Sequence, residues 1–256
     1  MPILIDELSL FFPCHNEEKN LAALVDEALD ALPALAARFE VIIVDDGSTD
    51  GTATLAERLV AAHPDTIRLV RHQVNRGYGG ALRSGFAAAR MGHIAFTDGD
   101  RQFRVADLSR LLEASRRLDA PVTVGFRAHR ADPLLRRIYA GLYRLANRVW
   151  FSLDVRDVDC AMKLFERRAL VGVAVASDGA FFSAELLIKL RASGMSISEV
   201  GVPHYPRTAG SPTGAKISVI WRAVKDFWGM RLRLWANRRT ALRRGALIVE
   251  DPAPGA

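Results

Sequence analysis

Asp98 and Asp100 stand two residues apart in Thr97-Asp98-Gly99-Asp100-Arg101-Gln102, directly after the short apolar run His93-Ile94-Ala95-Phe96. Such a run reads as a buried parallel strand, which would deliver the carboxylates to the C-terminal edge of a sheet. Open α/β sheets bind their ligands at that edge. In extended chain the two aspartates share a side, and Gln102 could add a third oxygen. Hard divalent cations such as Mg²⁺ or Mn²⁺ take oxygen ligands of this kind, usually shared with a diphosphate. A solvated acidic turn would look the same, because Asp-Gly is a turn former. D-x-D alone does not choose between them.

The elements that must position these residues decide more. Leu8 to Phe12 reads as a strand ending at Pro13-Cys14-His15-Asn16-Glu17-Glu18, and Asn20 as the cap of a helix carrying Leu21, Leu24, Val25, Ala28 and Leu32. Glu40 to Val44 is a continuous, mostly β-branched run, hence a buried strand, ending in Asp45-Asp46-Gly47-Ser48; Asp50 then caps a helix with Leu55, Leu59 and Val60. Thr66 to Val70 is a third strand. Asn75-Arg76-Gly77-Tyr78-Gly79-Gly80 follows it and opens a small-residue helix, Ala81 to Arg90. Beyond the Asp98 strand come a helix from Val105 to Leu118 and a strand from Pro121 to Val124. This alternation predicts an α/β fold, a parallel sheet with helices on both faces. Polar clusters at Pro13 to Glu17, Asp45 to Ser48 and Asp98 to Gln102 then converge on one crevice. Carboxylates gathered there repel one another unless a cation or hydrogen-bond donors compensate, which predicts a nucleotide and metal site.

Other readings of the glycines fail. Leu82 stands where the dinucleotide fingerprint G-x-G-x-x-G wants its third glycine, and the loop follows the third strand instead of the first. No G-x-x-x-x-G-K-[ST] exists, so a P-loop nucleotidase is excluded. Close packing of a helix start on the sheet explains the loop as well as ligand contact does.

The 256 residues suffice for one large α/β domain, with 50% hydrophobic and 25% charged residues and a net charge of +6. No run approaches eighteen uncharged apolar residues, and the start carries acids in place of a basic n-region, so neither a transmembrane helix nor a signal peptide is expected. Cys14 and Cys160 lack metal spacing and are expected as reduced thiols. Arginine is concentrated from Arg127 to Arg148 and the basic residues again from Lys216 to Arg244, which suits a phosphorylated substrate or anionic lipid. No helix-turn-helix or zinc spacing accompanies these stretches, so no nucleic-acid partner is expected.

Taken in order, Phe12-Pro13-Cys14-His15-Asn16-Glu17-Glu18-Lys19-Asn20, Val44-Asp45-Asp46-Gly47-Ser48-Thr49-Asp50-Gly51-Thr52, the glycine loop and Asp98-Gly99-Asp100-Arg101-Gln102 resemble glycosyltransferase family 2. Within it the chain looks closest to polyprenyl-phosphate glycosyltransferases of the dolichol-phosphate mannosyltransferase type. The resemblance runs on through Gly125-Phe126-Arg127, Asp157-Val158-Asp159-Cys160-Ala161-Met162-Lys163 and Glu199-Val200-Gly201-Val202-Pro203 with Arg207. It implies a GT-A fold, the Rossmann-like fold of nucleotide-diphospho-sugar transferases, with a UDP- or GDP-sugar donor and inversion at the anomeric carbon. Carried across, Pro13, His15, Glu17, Val44 and Asp46 hold the base and ribose. Asp98, Gly99 and Asp100, with Gln102, hold the Mg²⁺ or Mn²⁺ and the donor diphosphate, and Arg207 grips the phosphates. Arg127 and Arg137 match arginines that bind a lipid phosphate. Glu185, on a helix from Ser183 to Ala192, matches the region where members with hydroxyl acceptors carry a general base, although a surface acid beside Lys189 fits the sequence equally.

There are departures from the type. Gly141 replaces a serine, Ala161-Met162 replaces Gly-Phe, His15 replaces a tyrosine, and no lysine follows Ser211. They bear on the sugar and the acceptor.

After Pro206 the expected chemistry gives way to a helix from Lys216 to Arg239. There Ile217, Ile220, Trp221, Val224, Trp228, Leu232 and Trp235 recur with a period near 3.6, flanked by Arg222, Lys225, Arg231 and Arg233. Residues 1–214 are thus expected as the catalytic domain, 215–245 as a basic amphipathic helix for a membrane surface or a partner, and 246–256 as a disordered tail. The expectation is an inverting, metal-dependent transferase acting on a polyprenyl phosphate, peripheral at the cytoplasmic membrane face. A glycan or soluble hydroxyl acceptor, a silent nucleotide-sugar-binding scaffold and a nucleotidyltransferase stay open, as does the oligomeric state.

Overall fold

The computed structural model describes residues 3–128, 134–207 and 217–249, and gives no side-chain placement for 134–140 or 217–220. In chain order the elements are β1 (Ile5–Cys14), α1 (Glu18–Ala31), β2 (Ala36–Asp45), α2 (Thr52–Ala62), β3 (Ile67–Arg71), α3 (Gly77–Ala88) and β4 (His93–Phe96). There follow α4 (Leu108–Leu118), β5 (Val122–Arg127), α5 (Leu134–Phe151), β6 (Lys163–Glu166), α6 (Arg167–Leu170), β7 (Ala174–Val175) and α7 (Phe182–Ala192). The last are β8 (Ile197–Val202), α8 (Ile217–Ala236), α9 (Arg238–Arg243) and β9 (Ala246–Leu247).

Seven strands form one sheet in the order β3-β2-β1-β4-β6-β5-β8. All its pairings are parallel except those of β6, which runs antiparallel to both β4 and β5. The parallel half explains the apolar runs, because a strand covered on both faces has no polar side. Leu8, Leu10, Phe11, Phe12 and Val41 to Val44 are fully buried. Register then sets the height of each strand tip: Phe11 lies level with Phe96, and Cys14 with Asp45. Beneath the tips Phe11 meets Phe86 at 5.0 Å and Phe96 at 5.2 Å, and Phe86 meets Phe165 at 5.4 Å. Each aromatic pair contributes about 1 kcal/mol beyond its buried area, which makes a stiff floor for the crevice. Gly85 is required there, since a Cβ would lie 2.3 Å from the Phe11 ring.

Several boundaries differ from the sequence reading. Asn20 is no cap: α1 starts earlier, and the Asn20 side chain donates to Glu17 Oε2 at 2.6 Å. α3 starts at Gly77, so the glycines belong to the helix. The helix expected to reach Arg239 stops at Ala236, where Asn237 turns extended (φ −157°) and accepts from Thr240 N at 3.1 Å to cap α9. Residues 246–249, expected in a disordered tail, are ordered. β9 pairs antiparallel with β7, Val249 bridges Val171, and Ile248 and Val249 are buried. Two apolar side chains with a place on the core outweigh the flexible composition that follows them.

Candidate active site

Backbone bonds hold the strand tips together. Asp46 N donates to Cys14 O at 2.8 Å, and His72 N to Asp45 O at 2.9 Å. Asn16 has a left-handed backbone (φ 58°), which asparagine tolerates, and its Oδ1 accepts from Thr49 N at 2.8 Å. Gly99 lets the aspartate loop close on β1, since a Cβ there would stand 3.1 Å from Cys14 Sγ and 3.3 Å from Pro13 O.

The two aspartates sit in this crevice as read from the sequence. Asp100 is buried; it accepts Gln102 N on Oδ1 at 3.0 Å and Arg207 Nη2 on Oδ2 at 2.6 Å. Arg207 Nη1 lies 3.7 Å from Glu17 Oε1, so this arginine links the first and last motifs of the chain. Asp98 accepts the Tyr78 hydroxyl at 3.0 Å. Burial, reinforced by the neighbouring Asp100 carboxylate, pushes the Asp98 carboxyl up to about 7. Burial likewise raises Glu17. Gln102 approaches the pair through its backbone, while its side-chain Nε2 donates to Tyr205 O at 3.3 Å.

The Asp46 side is built differently. Its Oδ1 takes His72 Nδ1 at 2.6 Å and Arg76 N at 2.8 Å, and His72 Nε2 lies 2.8 Å from Ser84 Oγ. His72 and Asp46 are both buried, so the carboxylate is fixed by two donors. His15 Nδ1 stands at the lip, 2.9 Å from Asp46 O and 3.1 Å from Asn75 Nδ2. Val44 is fully buried in β2, so its side chain belongs to the core.

Arg127 ends β5 and is paired bidentately with Asp157, Nε to Oδ2 at 2.7 Å and Nη2 to Oδ1 at 2.8 Å. Between this pair and the acids lies Lys163, fully buried, donating to Cys160 O and 5.3 Å from the Phe96 ring. Burial pulls its pKa down, against the attraction of Cys160, Asp159, Asp157 and Asp98. The side chain of Arg137 lies outside the described residues.

Glu185 corrects the sequence reading. It is neither a surface acid nor a free base facing the crevice: it is buried, accepting Ala176 N at 3.0 Å, Ser177 N at 2.9 Å and Lys189 Nζ at 2.7 Å. Lys189 in turn donates to Ala174 O and Arg244 O at 2.7 and 2.6 Å. The i,i+4 spacing was visible in sequence, but its burial depends on β7 and the segment after α9 folding over it.

Sequence reasoning assigned no role to Tyr78, His72, Asn75, Asp157 or Lys163. Tyr78 and Asn75 lay in the glycine loop, and Asp157 and Lys163 in a quoted motif, so a signal existed. A lone histidine after β3 gave none.

Among the described residues no three His, Cys, Asp or Glu side chains form a metal cage. Two carboxylates suffice where a diphosphate supplies the remaining oxygens. One of them is pushed towards its neutral form by burial, and the other is paired with Arg207.

A family model, glycosyl transferase family 2, matches residues 9–172. The dodecaprenyl-phosphate galacturonate synthase of Rhizobium johnstonii is 31% identical over 229 residues, 88% of this chain and 66% of that protein. The human dolichyl-phosphate beta-glucosyltransferase is 30% identical over 249 residues, 89% of this chain and 75% of that protein. Glycosyltransferase AglD of Haloferax volcanii is 28% identical, and this chain spans only 40% of its length. Glucosyl-3-phosphoglycerate synthase from Mycobacterium tuberculosis shares the fold, with TM-score 0.66, 18% identity and coverage of 88% of this chain and 79% of that one. Another crystal structure of that enzyme contains Mn²⁺, UDP and glucosyl-3-phosphoglycerate, with TM-score 0.60, 18% identity and coverage of 93% and 80%. The fold is therefore GT-A-like, and the chain belongs to glycosyl transferase family 2.

Proposed function

We propose that this protein transfers a sugar from a nucleoside-diphosphate sugar to a polyprenyl phosphate, with inversion, at the cytoplasmic face of a membrane. The observation that carries this is the Asp98–Asp100 pair held under Tyr78 and Arg207 at the convergent strand tips. The names of the relatives, a dodecaprenyl-phosphate and a dolichyl-phosphate transferase, support the acceptor.

In this reading His15, Asp46 and Glu17 receive the nucleoside, with Pro13 shaping the tip beside them. Asp98 and Asp100 hold Mg²⁺ or Mn²⁺, which when bound neutralises charge developing on the leaving diphosphate. Arg207 leaves Asp100 for the diphosphate and becomes a second cationic clamp. Arg127, kept in one orientation by Asp157, presents the acceptor phosphate, and Arg137 assists it. An oxygen of that phosphate attacks the anomeric carbon as the bond to the diphosphate breaks. A phosphate monoester is already anionic at neutral pH, so it needs orientation more than a base. That agrees with a Glu185 already engaged by three donors.

The test is nucleoside-diphosphate release from a panel of UDP- and GDP-sugars with Mn²⁺ or Mg²⁺, with and without a short-chain polyprenyl phosphate in detergent. Release is expected only with the lipid. It should be abolished in Asp100→Ala, reduced by about two orders of magnitude in Arg127→Ala and retained per folded molecule in Glu185→Gln. Lipid-independent release with a soluble hydroxyl acceptor would overturn the acceptor. Donor binding without release under any condition would leave a scaffold.

A further inference from the structure

The apolar stripe of α8 does not pack on the domain. Trp221 (70% exposed), Val224, Trp228, Leu232 and Trp235 (80%) face outward, while an adjacent row, with Phe227 and Met230 buried, fastens the helix. α5 has the same character: Leu142, Leu145, Val149 (63% exposed) and Trp150 all stand in solvent. The two faces join. Trp150 meets Trp228 at 5.5 Å, Phe151 meets Phe227 at 4.9 Å beneath them, and Arg231 lies 5.3 Å over the Trp150 ring. The result is one apolar surface shared between helices that are far apart in sequence, where exposed patches of this size mark interaction sites.

Its surroundings are cationic. Arg148, Arg222, Lys225, Arg238, Arg239 and Arg243 are exposed on α5, α8 and α9. The acids described beside it are engaged: Asp154 by Arg144 at 3.1 Å, and Asp226 by the Ser177 hydroxyl at 2.8 Å. A second copy would set one cationic rim against another. An anionic bilayer complements the rim, and tryptophans among arginines favour the headgroup boundary over a dry protein groove.

We propose that α5 and α8 together form a platform that docks on an anionic lipid bilayer, with the exposed residues of both helices inserting. This rests on the membrane reading above and specifies it. α5 follows β5, which ends at Arg127, so the platform carries the acceptor side of the site against the lipid surface. Lipid selectivity comes from the arginine rim and residence from the apolar side chains.

The experiment is co-sedimentation of the full chain with vesicles of phosphatidylcholine alone or mixed with phosphatidylglycerol. It is run at low and high salt, for the parent, Leu145→Glu with Val149→Glu on α5, and Trp221→Glu with Trp235→Glu on α8. The parent is expected on the anionic vesicles, weakly on the neutral ones, and to be released by salt. Each double variant should lose about tenfold or more in partitioning. All four changed positions are exposed, and an unaltered melting temperature with retained transfer to the short-chain lipid in detergent shows that the variants fold. An α5 variant that binds like the parent overturns the two-helix platform, as does a parent that binds neither vesicle. A concentration-dependent dimer in sedimentation velocity, abolished by Leu145→Glu, would assign the face to a second copy instead. Transfer in detergent without vesicle binding refutes the platform alone; vesicle binding without transfer refutes the catalytic reading alone.

Discussion

Asp98 is a residue whose protonation the site controls, because burial and the neighbouring Asp100 carboxylate favour its neutral form. Below the ordinary carboxylate range, about pH 4, it is protonated in folded and unfolded chains alike. Between there and about 7 only the folded protein keeps the proton, so this group's favourable contribution is lost as pH rises through about 7. The melting temperature of the metal-free protein should therefore decline over that interval through this group, and less so in Asp98→Asn. Mn²⁺ should bind more tightly as pH rises across the same window, because binding displaces the proton. Calorimetric titration at several pH values checks this; a pH-independent affinity would contradict it. His72 makes a second residue-scale case. With Asp46 fixed by His72 and Arg76 N, His72→Ala removes a buried donor to a charged group, worth about 1.5–3 kcal/mol. Affinity for the nucleoside diphosphate, UDP or GDP, is expected to fall about tenfold or more while turnover at saturating donor changes little, a KM-against-kcat split that loss of folding alone would not produce.

At the scale of elements, the segment between β7 and α7 is the junction on which several pieces meet. Its backbone N–H groups go to Glu185, Ser177 ties it to Asp226 of α8, and Asp178 accepts Gly79 N at 3.0 Å on its carbonyl and Arg83 at 2.7 Å on its carboxylate. Gly79 has no room for a side chain, since a Cβ would lie 2.7 Å from the Asp178 carbonyl carbon. Gly79→Ala is expected to push α3 off this junction and with it Tyr78, raising the donor KM, as steady-state kinetics would read. Glu185→Gln leaves buried Lys189 without its counter-charge and should cost about 3–5 kcal/mol. Denaturant melts would show that loss with the activity of the folded fraction unchanged.

At the scale of the whole molecule, the last described residues close the structure back onto its middle. Ile248 N donates to Val173 O at 3.1 Å and its side chain is fully buried. Ile248→Ala should cost about 2–5 kcal/mol, comparable with a substitution in the central sheet, and the melting temperature is the measurement. Were the segment a passive tail, the change would be silent. Among the described residues no helix is long and apolar enough to cross a membrane.

The sequence by itself determined the parallel half of the sheet, the tips at which Asp46, Asp98 and Asp100 gather, and the family. Those features are written in local periodicity and in short ordered motifs, which need no knowledge of distant contacts. Tertiary structure alone decided what surrounds them. The antiparallel insertion of β6 brings Lys163 beneath the acids, and the approach of the chain after β8 sets Arg207 on Asp100. It also decided burial, which helical spacing leaves undetermined. Glu185 and Trp221 carry the same 3.6-residue logic, yet one lies inside because β7 and the segment after α9 cover it, and the other lies in solvent because Phe227 and Met230, on another face of α8, are the side chains that pack on the domain.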